Sequence, residues 1–282
     1  MKKDKKNTKD DNSPKKKISK YEIFRRTMLV ICICLTVAFA LQLTVIVVDY
    51  VKARKSSSEI LEGVEGITKP SDTNVGEPNP DTNDKDPEYS EYFSLWLKNI
   101  RETKEQYPDF VGYIEIENLD ILYPILQTDN NEYYLNHLID GTKNNSGEIF
   151  MDYRNKSSAL YDNQNIVLYG HNLGDGTKFH NLTKLRKEEN FYNSPVNVIT
   201  EEGIFTFTIF SFYKTDGNEQ YTPVSFDYYT NFWRFCVDEQ DKSMHKSEFK
   251  FTGKEVILTL STCVNDMGGR WCTHAVLTGF SK

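Results

Sequence analysis

The sequence predicts a mostly β protein: a closed or nearly closed barrel of seven to eight strands, with one helix ahead of it and another inserted before a cysteine-bearing strand. Three observations point there. Short β-prone runs recur between residues 110 and 280, at Phe110–Ile116, Ile121–Gln127, Glu148–Met151, Asn165–Tyr169, Val196–Thr200, Ile204–Phe212, Glu255–Thr262 and Thr273–Phe280. In the sixth, Phe205, Phe207 and Ile209 alternate with Thr206 and Thr208, as a half-buried strand requires. So many strands in so short a stretch favour closure.

Two helices complete the pattern. Tyr92, Phe93, Leu95, Trp96 and Ile100 fit helical spacing up to a stop near Pro108. Tyr229, Phe232, Trp233 and Cys236 stand at i, i+3, i+4 and i+7, which makes one apolar stripe and reads Cys236 as a core contact of that helix.

Ahead of the barrel the charge is unevenly spread. Residues 1–26 hold 11 Lys/Arg against 4 Asp/Glu, a net of +7, so the remainder carries −14 to reach the overall −7. Residues 27–48 then contain no formal charge, and these 22 residues suffice to span a hydrocarbon core, which takes about 20. Lys15, Lys16, Lys17, Lys20, Arg25 and Arg26 crowd one flank, so the positive-inside bias puts the N-terminus in the cytoplasm and the rest outside. A cleaved signal peptide is the competing reading, since Ala38-Phe39-Ala40 resembles a small-x-small site, but the apolar run continues well past it. Residues 49–88, rich in Ser, Asp, Asn, Pro and Gly, read as a flexible extracellular stalk, and 89–282 as the catalytic domain. The acidity of that outer part argues against nucleic acid as a partner.

Chemistry concentrates near the C-terminus. Strand residues Glu255–Leu260 lead into Ser261-Thr262-Cys263, and Arg270 follows seven residues after the cysteine. A thiol at the mouth of a strand with a guanidinium nearby has the parts of a nucleophile and an anion stabiliser. The plainer alternative is a small buried cysteine that only packs. Three cysteines, Cys236, Cys263 and Cys272, lie beyond the apolar segment, so at least one is not paired within the chain; a Cys263–Cys272 disulfide would abolish the nucleophile. No Cys-x-x-Cys or His-x-x-x-His spacing suggests a metal site, and no cofactor is called for.

A nucleophilic thiol needs a base or imidazolium partner. Among five histidines, His171 follows the strand Ile166–Gly170 and begins a loop, which sets it at the rim of the sheet; His274 is the rival, sharing a strand face with Arg270 and Cys272.

Thr259-Leu260-Ser261-Thr262-Cys263, with Arg270 downstream and Tyr169-Gly170-His171-Asn172 upstream, resembles the sortases, membrane-anchored cysteine transpeptidases of Gram-positive bacteria. The likeness covers roughly residues 89–282 and is greatest to class B, through the helix before the barrel, the run Gly147–Asn155 and the helix-bearing insertion. It implies Cys263 as nucleophile, His171 as acid/base and Arg270 as the group that steadies the oxyanion. Ser261 and Thr262 would lie beside the substrate threonine, and Asn131 and Leu135 resemble a substrate-contacting segment; Arg154 reads as a surface salt-bridge arginine. The seven-residue gap from Cys263 to Arg270 is short for class B.

The implied reaction cleaves a C-terminal sorting signal of surface proteins after Thr, N-P-Q-T-N-like or a variant. A thioacyl-enzyme then passes the protein to a peptidoglycan amine. Three alternatives stand beside it: a cysteine endopeptidase using the same residues, a pilin-polymerising sortase, for which neither lid nor second membrane helix is evident, and a non-enzymatic surface-binding module.

Overall fold

The computed structural model describes residues 19–64, 66, 67, 87–216, 219–263 and 269–282, and the chain divides into two compact units, Met1–Val48 and Asp49–Lys282. Helix α1, Lys20–Leu61, supplies the described part of the first unit and the start of the second. Up to Val48 its apolar side chains, among them Leu29, Leu35, Phe39 and Leu41, are exposed, and the helix is long and apolar enough to cross a membrane.

In the second unit, residues 49–61 are helical, although their composition places them in the stalk. Ala53, Ser57, Ile60 and Val64 are buried. Their spacing of four, three and four residues is that of one helical face, but two of the four are too small or polar to stand out in a hydropathy reading. Half of the expected stalk, residues 65 and 68–86, lies outside the described residues.

Helix α2, Pro87–Gln106, precedes the barrel. The apolar part of its buried face is Tyr92, Phe93, Trp96 and Ile100, which pack on Phe110, Tyr113, Leu126, Ile199 and Ile204; Leu95 falls on the exposed side. Trp96 meets Tyr92 edge-on at 6.4 Å and Tyr113 at 5.3 Å, and the Tyr113 hydroxyl donates to Asn99 Oδ1 at 2.6 Å.

Among the described residues eight strands close a barrel: β1 (Phe110–Ile116), β2 (Ile121–Leu126), β3 (Ile149–Met151), β4 (Asn165–Gly170), β5 (Val196–Thr200), β6 (Gly203–Asp216), β7 (Ile257–Cys263) and β8 (Gly269–Ser281). Their order around the barrel is β1-β2-β3-β4-β7-β8-β6-β5. The β2–β3 and β4–β7 pairs are parallel, and the others are antiparallel. Inside, Ile114, Ile116, Ile166, Leu168, Phe205, Phe207, Leu258 and Leu260 form the core, which Phe179, Leu182 and Leu185 of a 3-10 stretch and Phe191 of the short helix α3 (Glu188–Asn193) complete.

The alternation in β6 does not persist along the whole strand. Its pairing with β8 shifts between Ile209 and Ser211, a bulge that moves the inward face from odd to even positions. Phe205, Phe207 and Ile209 therefore point inward together with Phe212. Phe210 instead joins an outer cluster with Ile257, Val276 and Phe251, covered by Phe232 and Cys236 of helix α4, Tyr229–Asp241. A strand covered on both faces reads as a continuous apolar run rather than an alternation.

Trp96 is 1% exposed, so Trp96→Ala should remove about 3–5 kcal/mol of unfolding free energy. In urea titration this would appear as a lower midpoint at unchanged slope; an unchanged midpoint would mean that α2 is not docked on the barrel in solution.

Candidate active site

Strand β7 is the shared neighbour of β4 and β8, so one end of each of these three strands contributes to a common rim. The parallel ladder ends with Gly170 beside Thr262, and the antiparallel ladder sets Cys263 opposite Arg270. His171 follows Gly170 as Cys263 follows Thr262, so the two residues leave the sheet side by side on strands about 4.8 Å apart. Arg270 is half-buried, paired in the sheet with Thr215 as well as Cys263, and donates through Nη1 to the Gly269 carbonyl at 3.0 Å. These three predicted residues are thus brought together by backbone register.

His171 is held from two sides. Its ring Nε2 lies 2.8 Å from the Leu135 carbonyl, which can only accept, so Nε2 carries a proton. Its own carbonyl accepts from the Phe179 amide at 2.9 Å. Glycines permit both approaches. A Cβ on Gly170 would stand 2.6 Å from the Phe179 ring, and Gly147, at φ 55°, passes so near the Tyr133–Leu135 turn that a Cβ would meet the Leu135 carbonyl oxygen at 2.7 Å.

The remaining thiols and the rival histidine are buried elsewhere. Cys236 and Cys272 are fully buried free thiols, and burial pushes both well above the usual range, which makes them poor nucleophiles. With Cys272 free, the Cys263–Cys272 disulfide is not formed. His274 lies four residues inward from Arg270, about 13 Å along the strand. It is fully buried, with Nδ1 2.9 Å from Thr259 Oγ1 and Nε2 3.3 Å from Glu239 Oε2 of α4. The Nε2 contact is an ion-pair distance without hydrogen-bond geometry. Burial alone would raise the Glu239 carboxyl, but His274, Tyr213 and Lys242 together hold it below the ordinary carboxylate range. This histidine fastens α4 to the barrel.

The other candidates are more varied in placement. Ser261 is buried, with its Oγ 2.7 Å from the Tyr221 hydroxyl, and Thr262 is buried with an Oγ1 that has no partner among the described residues. Leu135 contributes its carbonyl to His171 while its side chain is exposed. Asn131 is half-buried; its Nδ2 donates to Asp152 Oδ2 at 2.9 Å and its Oδ1 accepts from the Tyr153 amide at 3.0 Å.

Asp152 went unnoticed in the sequence, because an aspartate in a loop gives no sign of burial before its partners are known. It is fully buried and gathers five donors: Asn131, the Tyr169 hydroxyl at 2.9 Å, the Arg154 guanidinium through two bonds of 2.8 and 2.7 Å, and the Arg154 amide. Arg154 is thus a surface arginine in a salt bridge, as its sequence suggests, and its partner in that two-pronged pair is a buried carboxylate. Tyr169 pairs with Ser261 across β4 and β7, so this cluster stands next to the rim.

Burial by itself would raise Asp152, but Arg154 and Tyr169 bring its carboxyl below the ordinary 3.8. A depressed carboxyl adds stability that is fully present above the unfolded value and is lost as pH falls through the folded one. The melting temperature of the wild-type chain should therefore drop more steeply below pH 3.8 than that of Asp152→Asn, and Asp152→Ala should cost about 1–3 kcal/mol at neutral pH by leaving Tyr169 and Asn131 without their acceptor. Parallel acid titrations of the two proteins would rule this out.

Comparison with known proteins agrees with this plan. A Sortase domain model matches residues 114–278. Sortase B of Listeria monocytogenes is 34% identical over 166 residues, which are 58% of this chain and 66% of that protein. Sortase B of Staphylococcus aureus is 34% identical over 157 residues, 55% of this chain and 63% of the relative, so the match spans a little under two thirds of both curated relatives. A crystal structure of sortase B from Bacillus anthracis, in complex with AAEK1, superposes with a TM-score of 0.65 at 29% identity, covering 83% of this chain and 100% of that one. The S. aureus sortase B-substrate complex gives 0.63 at 28% identity, over 68% of this chain and 92% of its own. With a family match over more than half its length, on an eight-stranded barrel with a helix ahead of it and another before β7, the chain belongs to the sortase family, and it resembles the class B members.

Proposed function

We propose that this protein is a cysteine transpeptidase of class B type, which cuts a surface protein's sorting signal after threonine and joins the new C-terminus to a cell-wall amine. The observation that supports it best is the register at the rim: Thr262 beside Gly170, Cys263 opposite Arg270, and His171 next in line. The similarity to the S. aureus sortase B-substrate complex supports a substrate-binding rim here as well.

The Cys263 thiolate attacks the threonine carbonyl carbon and forms a tetrahedral adduct whose oxyanion faces Arg270. Collapse breaks the C–N bond, and His171 supplies the proton to the departing amine. The thioacyl-enzyme is resolved when an acceptor amine attacks, gives its proton back to His171 and expels the thiolate. One amide is exchanged for another and no cofactor enters. Since Nε2 donates to Leu135, Nδ1 is the nitrogen through which these protons pass. Asn131, Leu135, Ser261 and Thr262 border the donor site in this reading, with α1 as a single-pass anchor, N-terminus inside, and a stalk before the catalytic domain.

Intact-mass analysis of the full chain in detergent with a panel of sorting peptides should show an acyl adduct on Cys263, absent in Cys263→Ala, and an added amine should convert it to the ligated product. Release only as free acid would make the protein a hydrolase, and an adduct surviving in Cys263→Ala would remove the assignment of the nucleophile. Arg270→Ala should lower kcat about a hundredfold with a smaller change in KM. Steady-state kinetics showing equal losses in both would count against its role at the oxyanion.

A further inference from the structure

A buried ion pair lies behind His171. Lys178 and Glu148 are 1% and 0% exposed at their side chains, and the Lys178 ammonium contacts the Glu148 carboxylate directly. Both are tied to the histidine through the backbone. Lys178 bridges Asn172, the residue after His171, and the adjacent Phe179 amide is the one that donates to the His171 carbonyl. On the other side the Glu148 amide donates at 2.9 Å to the Tyr134 carbonyl, next to the Leu135 carbonyl that receives His171 Nε2. The path from ring nitrogen through Leu135, Tyr134, Glu148, Lys178 and Phe179 back to the His171 carbonyl is a closed circuit.

Two further features show that this circuit is held under constraint. Lys178 adopts φ 56° and ψ −129°, a conformation that L side chains rarely take and that persists only where the surroundings impose it. Those surroundings include α1. Ser57 Oγ lies 3.3 Å from Lys178 Nζ, and the Arg54 guanidinium binds the same loop at Asp175, reaching Oδ2 at 3.0 Å and the backbone carbonyl at 2.8 Å. Asn144 Nδ2, just before Gly147, donates to the Asp49 carbonyl at 2.9 Å. Residues 49–57 therefore touch both arms of the circuit.

We infer that Lys178 and Glu148 are positioning residues for His171, and that the helical segment following the apolar part of α1 completes the site by clamping the loop through Arg54 and Ser57. The inference rests on His171 being the acid/base proposed above. The juxtamembrane helix is then part of the catalytic machinery rather than a tether. Its sequence sets the position of a proton-transfer group several elements away, and any partner that pulls Arg54 from Asp175 lowers turnover.

The test uses the full chain in detergent, with two readouts: steady-state kinetics on a sorting peptide, and the pH dependence of Cys263 alkylation by iodoacetamide, located by peptide mass spectrometry. Arg54 is 59% exposed at its side chain, so Arg54→Ala should leave the unfolding midpoint nearly unchanged. It should nevertheless lower kcat about fivefold with KM little altered and displace the alkylation profile, since small errors in the placement of a catalytic group are costly. Arg54→Lys should restore part of the loss. Removing the pair as Lys178→Met with Glu148→Gln should give the larger loss, about a hundredfold in kcat. Wild-type kcat and an unmoved alkylation profile in Arg54→Ala would overturn the inference, whether or not the double variant folds. A wild-type chain that alkylates with a His171-dependent profile yet accepts no peptide would fault the substrate assignment instead, and the variants' alkylation profiles would still decide the inference.

Discussion

The parallel ladder between β4 and β7 runs from Asn165 with Ile257 to Gly170 with Thr262, and the rim takes its order from it. Parallel neighbours cannot be joined by a tight turn, so the chain crosses over between them through α3, β5, β6 and α4. The ladder lets two residues far apart in sequence, His171 and Cys263, leave adjacent strands at the same level. A slip of one residue would turn Leu258 and Leu260 out of the core, so burial of those side chains is what enforces the register. Arg270 follows automatically, because the antiparallel β7–β8 pairing sets it opposite Cys263.

Around this ladder buried carboxylates are each paired: Asp152 with the exposed Arg154, Glu148 with the buried Lys178 and Glu239 with the buried His274. Buried charges are expensive to desolvate, and apolar residues of similar volume often serve stability as well or better. What such pairs add is direction, since a two-pronged guanidinium or an ammonium set between a carboxylate and a hydroxyl tolerates few arrangements. Asp152 orders the segment through Asn131 and Tyr169, Glu148 and Lys178 brace the two walls around His171, and Glu239 fixes α4 over β6 and β8. The site thus sits on a strand rim whose supports come from loops, from α4 and from neighbouring strands alike.

Much of this was legible in the residues, and what was not has identifiable causes. The strand runs lie within a few residues of the observed strands because β-branched and aromatic residues between turn formers mark them directly, and both helices adjoining the barrel follow from apolar spacing. The extension of β6 to Asp216 was hidden by its bulge and by the outer apolar face under α4. The helical nature of residues 49–61 was hidden because their buried stripe uses Ala53 and Ser57, and small residues bury against a neighbour without raising hydropathy. His171 was favoured over His274 on the sequence by its place at a strand end; the β7–β8 pairing, which draws His274 to Thr259 and Glu239, sets the two apart in space.

The sequence by itself determined the barrel class and the apolar helix and made Cys263, His171 and Arg270 candidates, because periodicity, turn chemistry and a strand-end thiol are local properties written in consecutive residues. Only the tertiary structure decided that Asp152 is buried among five donors, that Leu135 acts through its carbonyl, and that Lys178, Glu148 and Arg54 stand behind the histidine. Each of those facts depends on which residues meet across the barrel, and burial and pairing of a polar group are set by distant neighbours rather than by the group's own stretch of chain.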